Sequence, residues 1–225
     1  MKPIKVFCGW DQRESAGWHV FASSVIRRAS KPVELIALNS MGLPPGSNSF
    51  TLSRFLVPAL CEFKGHAIFC DGVDMQCIAD IVELDSLFDS QYAVQVVKHG
   101  EYVSSHKRKY IGTDMECDQS QYSRKNWASL MLVNASHSAW FGLTPQAIEM
   151  KSPMQLLQFQ DLLDSEIGEL PKEWNVLVDE GQDLTGAKML HWSNGIPGFR
   201  HYKNSRRSGD WFDEFGQVTG GMQDG

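Results

Sequence analysis

The 225-residue sequence lacks the signals of several large classes of protein. None of its five cysteines forms a C-x-x-C pair and no H-E-x-x-H occurs, so a zinc site is not indicated. An odd number of cysteines fits a disulfide framework poorly, and reduced thiols favour a cytoplasmic location. No apolar run approaches the roughly 18 residues of a membrane span, and residues 1–7 are too short an apolar stretch for a signal peptide.

The motifs of several ligand-binding folds are also missing. There is no G-x-G-x-x-G, so a Rossmann dinucleotide site has no support, and the absence of G-x-x-x-x-G-K-[ST] excludes a P-loop. Without G-x-S-x-G, or a cysteine in an obvious catalytic setting, a hydrolase with an activated nucleophile is disfavoured. The net charge of −6 argues against nucleic acid as the main partner, because binding phosphates along a polymer needs a basic surface.

What is present indicates a globular α/β domain, because 42% of the residues are hydrophobic and 21% are charged. Residues 1–225 contain neither a repeat nor a clear linker, so we predict one domain, with about 213–225 as a flexible tail. Strand patterns cover 4–8, 33–38 and 66–70, and helix patterns cover 14–28 and 50–63. This alternation predicts a parallel sheet, with a first helix that buries Trp18, Phe21, Ala22, Val25 and Ile26.

The remaining patterns are weaker. They predict helices at 78–88 and 152–163, strands at 92–98 and 174–178, an ambiguous apolar run at 128–133 and a long polar loop at 99–122. From its length and polarity we interpret the loop as a candidate lid. Within it, the basic run 106–109 is either a solvated loop or a contact to a phosphate-bearing ligand.

Asp71 and Asp74 directly follow the third predicted strand, and Gly72 between them relaxes the turn. Open α/β sheets bind ligands at the carboxyl ends of their strands. Two carboxylates on one tight turn are costly unless a cation neutralises them, and oxygen ligands suit Mg²⁺ or Mn²⁺ bridging to phosphates. The turn is therefore a candidate metal site, the alternative being an Asp-rich surface turn.

Two further loops carry groups suited to a nucleotide diphosphate. His191 precedes a loop punctuated by glycine and proline, which could offer an imidazole and backbone N–H groups or contain only a structural histidine. Gly9-Trp10-Asp11 follows the first strand and opens a helix. Gly9 would let the backbone approach a ligand, whereas Asp11 either caps the helix or binds a base or ribose.

Taken in order, these blocks resemble the GT-A fold nucleotide-diphospho-sugar transferases, specifically the family-8-like bacterial and phage glycosyltransferases. The resemblance spans about residues 4–212. The segments that carry it are a first strand with its nucleotide loop at 6–11, a T-x-x-R-hydrophobic-x-x-P helix at 50–58, a D-x-D-like strand end at 69–74, a sugar-facing segment at 124–134, a D-Q-D-x-L-N-like helix at 160–163, an l-P-x-x-[YW]-N strand at 170–175 and an H-x-x-G-x-x-P-W-like loop at 191–199.

This resemblance implies a Rossmann-like mixed sheet flanked by helices, and retaining transfer of a sugar from a UDP-sugar to an acceptor hydroxyl. It implies that Mn²⁺ or Mg²⁺ is held by Asp71, Asp74 and His191, and that Gln160 and Asp161 are catalytic residues beside the reacting sugar. The nucleotide-sugar contacts that it implies are Gly9, Trp10, Asp11, Arg54, Asp71, Lys125, Asn126, Gly195 and Gly198. The acceptor would be a carbohydrate or another hydroxyl compound, and peripheral membrane contact is left open.

Three departures from the family pattern bear on these expectations. The acidic motif is D-x-x-D, one residue longer than D-x-D, which leaves open whether Asp71 or Asp74 is the direct ligand; of the two, we favour Asp74. Phe159 stands where the first Asp of D-Q-D is common. The last loop lacks a Lys before its Pro, leaving Lys203, Arg206 or Arg207 for the diphosphate. The alternatives are a sugar-phosphate nucleotidyltransferase and a non-catalytic nucleotide-sugar-binding module.

Overall fold

The computed structural model describes residues 2–100 and 102–220. Its strands are β1 (Ile4–Gly9), β2 (Val33–Leu38), β3 (His66–Cys70), β4 (Met75–Cys77), β5 (Val94–Val96), β6 (Arg108–Lys109), β7 (Cys117–Asp118), β8 (Leu130–Asn134), β9 (Ile167–Glu169), β10 (Val176–Leu177) and β11 (Met189–His191). Its α-helices are α1 (Ser15–Arg28), α2 (Val57–Leu60), α3 (Ile81–Asp85), α4 (Pro145–Glu149), α5 (Pro153–Leu157) and α6 (Ser208–Thr219). Within these ranges, no helix combines the length and apolar character that crossing a membrane requires.

The main sheet has six strands in the order β2-β1-β3-β8-β5-β9. Strand β1 pairs in parallel with β2 and β3, as the alternating pattern predicts. The ambiguous run at 128–133 becomes β8, which is antiparallel to both β3 and β5. Strand β9 then adds to β5 in parallel. The sheet is therefore mixed and flanked by helices, which confirms the predicted fold class.

Helix α1 packs on this sheet with most of the predicted face, and one predicted core residue is exposed. Phe21 and Val25 are buried as expected, but Ile26 is 60% exposed, so its assignment to the core is wrong. The buried residues of α1 are Gly17, Val20, Phe21, Ala22, Ser24 and Val25. Residues 18, 22 and 26 form a row along the edge of the buried face, and the last of them turns toward solvent.

Three predicted helices are shorter than their patterns suggest, and the one predicted at 78–88 is reduced to α3. The segment 50–63 contains a 3₁₀ turn followed by α2, and Pro58 lies in the first turn of α2, where its missing N–H costs no hydrogen bond. Helix α5 begins as predicted, with the Ser152 hydroxyl accepting from the backbone N–H of Gln155 at 3.1 Å. It ends before Phe159, whose φ of 52° is left-handed, so the helix does not reach residue 163.

Among the elements that were not predicted, three matter here, and two of them, β4 and β11, position the site. Strand β11 lies between β10 and β4, pairing in parallel with the first and antiparallel with the second. Its register places His191 opposite Met75, immediately after the acidic turn. The third element is α6, which occupies part of the expected flexible tail and packs on α1 through Trp211 and Glu214. A tail beginning at 213 is therefore wrong for residues 213–219, and 221–225 lie outside the described residues.

Candidate active site

The acidic turn is held in place from two sides. The backbone N–H of Asp71 donates to the carbonyl of Ser129 on the neighbouring segment at 2.8 Å, and Gly72 takes a left-handed φ of 73°. From the other side, Gly17 of α1 approaches so closely that a Cβ atom there would lie 1.8 Å from the carbonyl oxygen of Val73. The turn is thus clamped between the sheet and α1, which limits its freedom to move.

The structure brings together the three residues that the resemblance implies as metal ligands. One ligand atom from each of Asp71, Asp74 and His191 lies within 4.8 Å of the others, and all three residues are buried. His191 Nε2 is 3.4 Å from Asp74 Oδ2, while Asp74 Oδ1 is buried without a hydrogen-bond partner among the described residues. Two carboxylate oxygens and an imidazole nitrogen, one oxygen lacking a partner, are a donor set that fits Mn²⁺ or Mg²⁺.

Asn175 orients the imidazole of His191. Its side-chain oxygen lies 2.9 Å from His191 Nδ1, and its Nδ2 donates to Ser129 Oγ at 2.9 Å and to the carbonyl of Asn126 at 3.3 Å. The amide nitrogen is thereby occupied, so the oxygen accepts the proton of Nδ1 and leaves Nε2 free to bind a metal. Asn175 is the last residue of the l-P-x-x-[YW]-N segment at 170–175, but that motif alone does not indicate that it orients a metal ligand.

The site concentrates negative charge that the protein alone does not neutralise. Burial raises the pKa of Asp71 to about 6, with Arg54 opposing the shift and Asp74 adding to it. Burial also raises the pKa of Glu14 well above its ordinary value, and the Asp74 charge acts in the same direction. Burial by itself would lower the pKa of His191, but Asp74 raises it. A bound divalent cation would relieve this repulsion.

Arg54 is the internal counter-ion of the turn. Its Nη1 lies 2.6 Å from Asp71 Oδ1 and donates to the carbonyl of Ala128 at 2.8 Å, while Nε donates to the carbonyl of Thr51 at 3.1 Å. Its guanidinium also lies 5.2 Å from the centre of the Phe69 ring. Arg54 therefore reaches the pocket edge as part of a fixed, buried network.

Two adjoining cavities open at the cluster. The acidic pocket, lined by the three candidate ligands and Arg54, has a volume of about 70 Å³. The outer cavity, lined by Gln119 and Lys125 among others, has a volume of about 350 Å³. The two share Ser47, Thr51, Lys109, Tyr122, Asn126, Leu157 and Ser193. Together they are large enough for a small-molecule ligand.

The cation that faces both cavities comes from the predicted lid. Lys109 is the last residue of the basic run and lies in β6, where its Nζ is 3.4 Å from Ser47 Oγ, and it lines both cavities. The next residue, Tyr110, is buried, and its backbone N–H donates to the carbonyl of Asn194 at 2.7 Å. The polar segment thus folds over the acidic pocket.

The three C-terminal cations considered for the diphosphate do not line either cavity. Arg206 donates to the carbonyl of Gln182, and Arg207 pairs with Asp210. Lys203 is exposed.

The residues of the first predicted nucleotide loop are engaged in packing and helix capping within the protein. Gly9 lies so close to Phe50 that a Cβ atom would be 2.4 Å from its ring. The Asp11 carboxylate caps the next turn by accepting from the Arg13 N–H at 3.0 Å, and it pairs with the Arg13 guanidinium at 2.7 Å. Trp10 lies beside them, and none of Gly9, Trp10 and Asp11 lines either cavity. The capping alternative for Asp11 is the one that the structure adopts.

The two glycines after His191 also serve packing. A Cβ atom at Gly195 would lie 2.5 Å from the Tyr202 ring, and one at Gly198 would lie 2.8 Å from the Trp211 ring. Neither glycine lines the acidic pocket or the outer cavity; Ser193 of the same loop lines both. Their spacing therefore reflects the close approach of aromatic side chains, with no ligand needed to explain it.

Gln160 and Asp161 are not brought to the acidic pocket. Phe159 enters the core beside Phe55, and its left-handed backbone turns the following residues outward. Gln160 is exposed, and Asp161 pairs with Lys151 at 3.2 Å beside a separate apolar cavity of about 220 Å³. The aromatic residue at position 159, already noted as a departure from the family pattern, is the physical reason for this placement.

Solved structures with the same fold are glycosyltransferases. The apo structure of the bifunctional glycosyltransferase WbbM matches with a TM-score of 0.65 and 15% identity over 95% of this chain and 49% of that one. The galactosyltransferase LgtC, solved with donor and acceptor sugar analogues, matches with a TM-score of 0.63 and 13% identity over 96% of each chain. The chain therefore spans about half of WbbM and nearly all of LgtC, and its fold is the GT-A type of these glycosyltransferases.

Sequence comparison identifies a family. Protein CDI of Arabidopsis thaliana is 34% identical over 229 aligned residues, covering 95% of this chain and 86% of that protein. The chain belongs to the family of Protein CDI. No protein-family model matches the sequence.

Proposed function

We propose that this chain is a metal-dependent, retaining glycosyltransferase that moves a sugar from a nucleoside diphosphate donor, a UDP-sugar, to an acceptor hydroxyl. The observation that carries the proposal is the buried cluster of Asp71, Asp74 and His191, which opens into a ligand-sized cavity in a GT-A fold. The free thiols of its cysteines accord with a cytoplasmic location, which stays a prediction.

The residues of the acidic pocket have distinct tasks in this proposal. Asp71, Asp74 and the Nε2 atom of His191 would hold Mn²⁺ or Mg²⁺. Bound there, the ion supplies Lewis-acid stabilisation of the charge that develops on the leaving diphosphate. Asn175 keeps the imidazole in the ligand tautomer, and Lys109 adds a positive charge at the rim shared with the outer cavity.

Retention of anomeric configuration would proceed by attack from the face that the leaving group occupies. Among the described residues, the carboxylates that line the two cavities are Asp71, Asp74 and Asp118. The first two are the candidate metal ligands. The side chain of Asp118 is 88% exposed and pairs with Arg108 at 3.1 Å, so it is poorly placed as a covalent nucleophile. A short-lived ion pair at the sugar fits this arrangement better than a glycosyl-enzyme intermediate.

One observation favours a second candidate, a nucleotide-sugar-binding module without turnover. Gln160 and Asp161 lie away from the acidic pocket, so the described residues around it lack the amide and carboxylate that the resemblance implies beside the sugar. Such a module would bind the nucleotide in a metal-dependent way and release no UDP.

The test is a screen of UDP-sugars in Mn²⁺ that measures UDP release together with UDP binding by calorimetry. Asp74→Asn and His191→Ala should each reduce both by at least about tenfold, whereas Asp213→Asn on α6 and His19→Ala on α1, both exposed, should match wild type. Metal-dependent UDP binding without release would favour the module. Pyrophosphate release from a nucleoside triphosphate and a sugar phosphate would favour a nucleotidyltransferase, and full activity in both site variants would refute the metal assignment.

A further inference from the structure

Among residues 2–100 and 102–220, no counter-ion is in contact with the buried cation of Lys125. The residue is 6% exposed, and its Nζ has no hydrogen-bond partner among the described residues. It lies over the Tyr102 ring, whose centre is 5.7 Å from Nζ. Burial lowers the pKa of this amine, as expected where water has been removed from a charge. An unpaired buried ammonium is costly to a protein, which makes this position informative.

The surroundings hold Lys125 in place without neutralising it. Tyr102 is itself fixed, since its hydroxyl accepts from Asn126 Nδ2 at 2.7 Å. Glu180, the acidic group that acts on Lys125 through space, is engaged elsewhere: its Oε1 accepts from Ser104 Oγ at 2.7 Å and from Asn194 Nδ2 at 3.3 Å. The ammonium is therefore positioned and left available.

The outer cavity beside Lys125 has the character of an anion site. Two lysines line it, Lys109 at the rim shared with the acidic pocket and Lys125 in the outer cavity alone. The one carboxylate among its described lining residues, Asp118, is turned outward to Arg108. The amide of Asn126 and the side chain of Gln119 add polar groups suited to hydrogen bonds with a substrate.

We propose that the outer cavity binds a second anionic group of a substrate, a carboxylate separate from the donor diphosphate, with Lys125 as its counter-ion. This inference rests on the proposed function, since it assumes that the acidic pocket takes the metal and the diphosphate. The anionic group has two sources: a donor sugar that carries a carboxylate, or an acidic acceptor. Lys125 lines the outer cavity and not the acidic pocket, which separates its role from that of the diphosphate-facing residues.

The experiment is calorimetry in Mn²⁺ with UDP, UDP-glucose and UDP-glucuronate on wild type, Lys125→Met and Lys98→Met. Lys98 is the matched control, because it also lies over an aromatic ring, Trp127, but lines a different cavity. If the donor carries the anion, Lys125→Met should weaken UDP-glucuronate roughly 10- to 100-fold and leave UDP and UDP-glucose within about twofold. Lys98→Met should leave all three unchanged.

A second arm titrates free glucuronate into wild-type and Lys125→Met protein, with and without UDP and Mn²⁺. If Lys125→Met loses affinity for free glucuronate and for none of the three nucleotides, the result supports the proposal and assigns the anion to the acceptor. An equal loss for all three nucleotides would place Lys125 on the diphosphate and overturn it, as would unchanged affinities in both arms. The proposal would also be overturned if wild-type protein bound neither UDP-glucuronate nor free glucuronate. If UDP does not bind but glucuronate binds through Lys125, the proposed function fails and the anion site stands.

Folding provides an independent readout. Replacing an unpaired buried ammonium by an apolar side chain of similar shape should raise the unfolding temperature of the ligand-free protein. A lower unfolding temperature for Lys125→Met would mean that the lysine stabilises the fold, and that result would contradict a role reserved for substrate.

Discussion

The side-chain oxygen of Asn175 lies 2.9 Å from Nδ1 of His191 and determines which imidazole nitrogen faces Asp74. The amide cannot rotate without losing the bonds that its nitrogen donates to Ser129 Oγ and to the carbonyl of Asn126. A change at Asn175 would therefore release the histidine to rotate or to move its proton, although Asn175 itself is not among the candidate ligands.

Asn175→Ala should consequently weaken Mn²⁺ binding by roughly 10- to 100-fold, the usual cost of losing such a partner. Asn175→Asp keeps an acceptor for Nδ1 and should lose less. Calorimetric titration of Mn²⁺ measures both, with the exposed Asn204→Ala as the control. Equal Mn²⁺ affinity in wild type and Asn175→Ala would contradict the role of Asn175 in orienting the ligand.

The second prediction concerns the pH dependence of metal stabilisation. In the metal-free protein the pKa of Asp71 is raised from 3.8 to about 6 and that of His191 is raised from 6.5. A raised folded pKa means that the folded state binds the proton more tightly than the unfolded state does. The contribution of Asp71 to folding stability is therefore complete below pH 3.8 and is lost as the pH rises through about 6. The contribution of His191 is likewise lost as the pH rises above 6.5.

Mn²⁺ replaces those protons, so the rise in unfolding temperature that it causes should grow between about pH 5.5 and about pH 7.5. Differential scanning fluorimetry with and without Mn²⁺ measures this. Asp74→Asn should remove most of the effect, and Asp213→Asn should preserve it. A metal-induced shift that is constant over this range would count against proton competition at the cluster.

The parallel half of the main sheet could be predicted from the sequence because it is built from continuous apolar runs. The second predicted strand coincides with β2, and the third, at 66–70, coincides with β3. Strands β4 and β11 have three residues each, too few to show a period, and they exist through their pairing with each other. A long-range pairing of this kind leaves no local signal.

In the candidate site, too, some positions could be predicted from the sequence and others could not. Asp71 and Asp74 follow a buried strand, so their position at a ligand-binding edge could be anticipated from order alone. Which member of the basic run 106–109 reaches the pocket could not, because that depends on Tyr110 being buried against distant residues. Gln160 lies away from the pocket for a related reason: the local pattern does not reveal that Phe159 enters the core and turns the chain.

The third prediction tests the contact between α1 and α6. Glu214 Oε1 accepts from Ser23 Oγ at 2.6 Å and from Arg27 Nη1 at 3.0 Å, while Oε2 accepts from Arg28 Nη1 at 2.8 Å. Glu214→Ala should cost about 1–3 kcal/mol in the free energy of unfolding at neutral pH. Urea denaturation measures this, and Glu62→Ala, which removes an exposed pair with Lys64, should change little.

The stability that the Glu214 contact contributes depends on pH with the opposite sign to that of the acidic pocket. Burial opposes the shift, but the hydrogen bond from Ser23 and the two arginines lower the pKa of Glu214 below 4.5. Its stabilisation is therefore present above pH 4.5 and is lost as the pH falls through the lowered value. The difference between wild type and Glu214→Ala should shrink on acidification. A difference that widens there would rule out this ionic contact as the source.

The fourth prediction compares the effect of helix propensity with the effect of close packing against the acidic turn. Alanine normally stabilises a helix relative to glycine by about 1 kcal/mol, and Gly216 in α6 has open space where a Cβ atom would go. Gly216→Ala should therefore gain about 0.5–1 kcal/mol. At Gly17 the same atom would lie 1.8 Å from the carbonyl oxygen of Val73, which belongs to the backbone of the acidic turn and has no rotamer to change.

Gly17→Ala should thus destabilise the protein by about 1–3 kcal/mol, or more, despite its better helix propensity. Because relief of the clash displaces the turn between Asp71 and Asp74, Mn²⁺ affinity should fall as well, whereas Gly216→Ala should bind Mn²⁺ as wild type does. Urea denaturation and Mn²⁺ calorimetry on the two variants measure both effects. If Gly17→Ala were as stable as Gly216→Ala and bound Mn²⁺ equally well, the acidic turn would not depend on the close approach of α1.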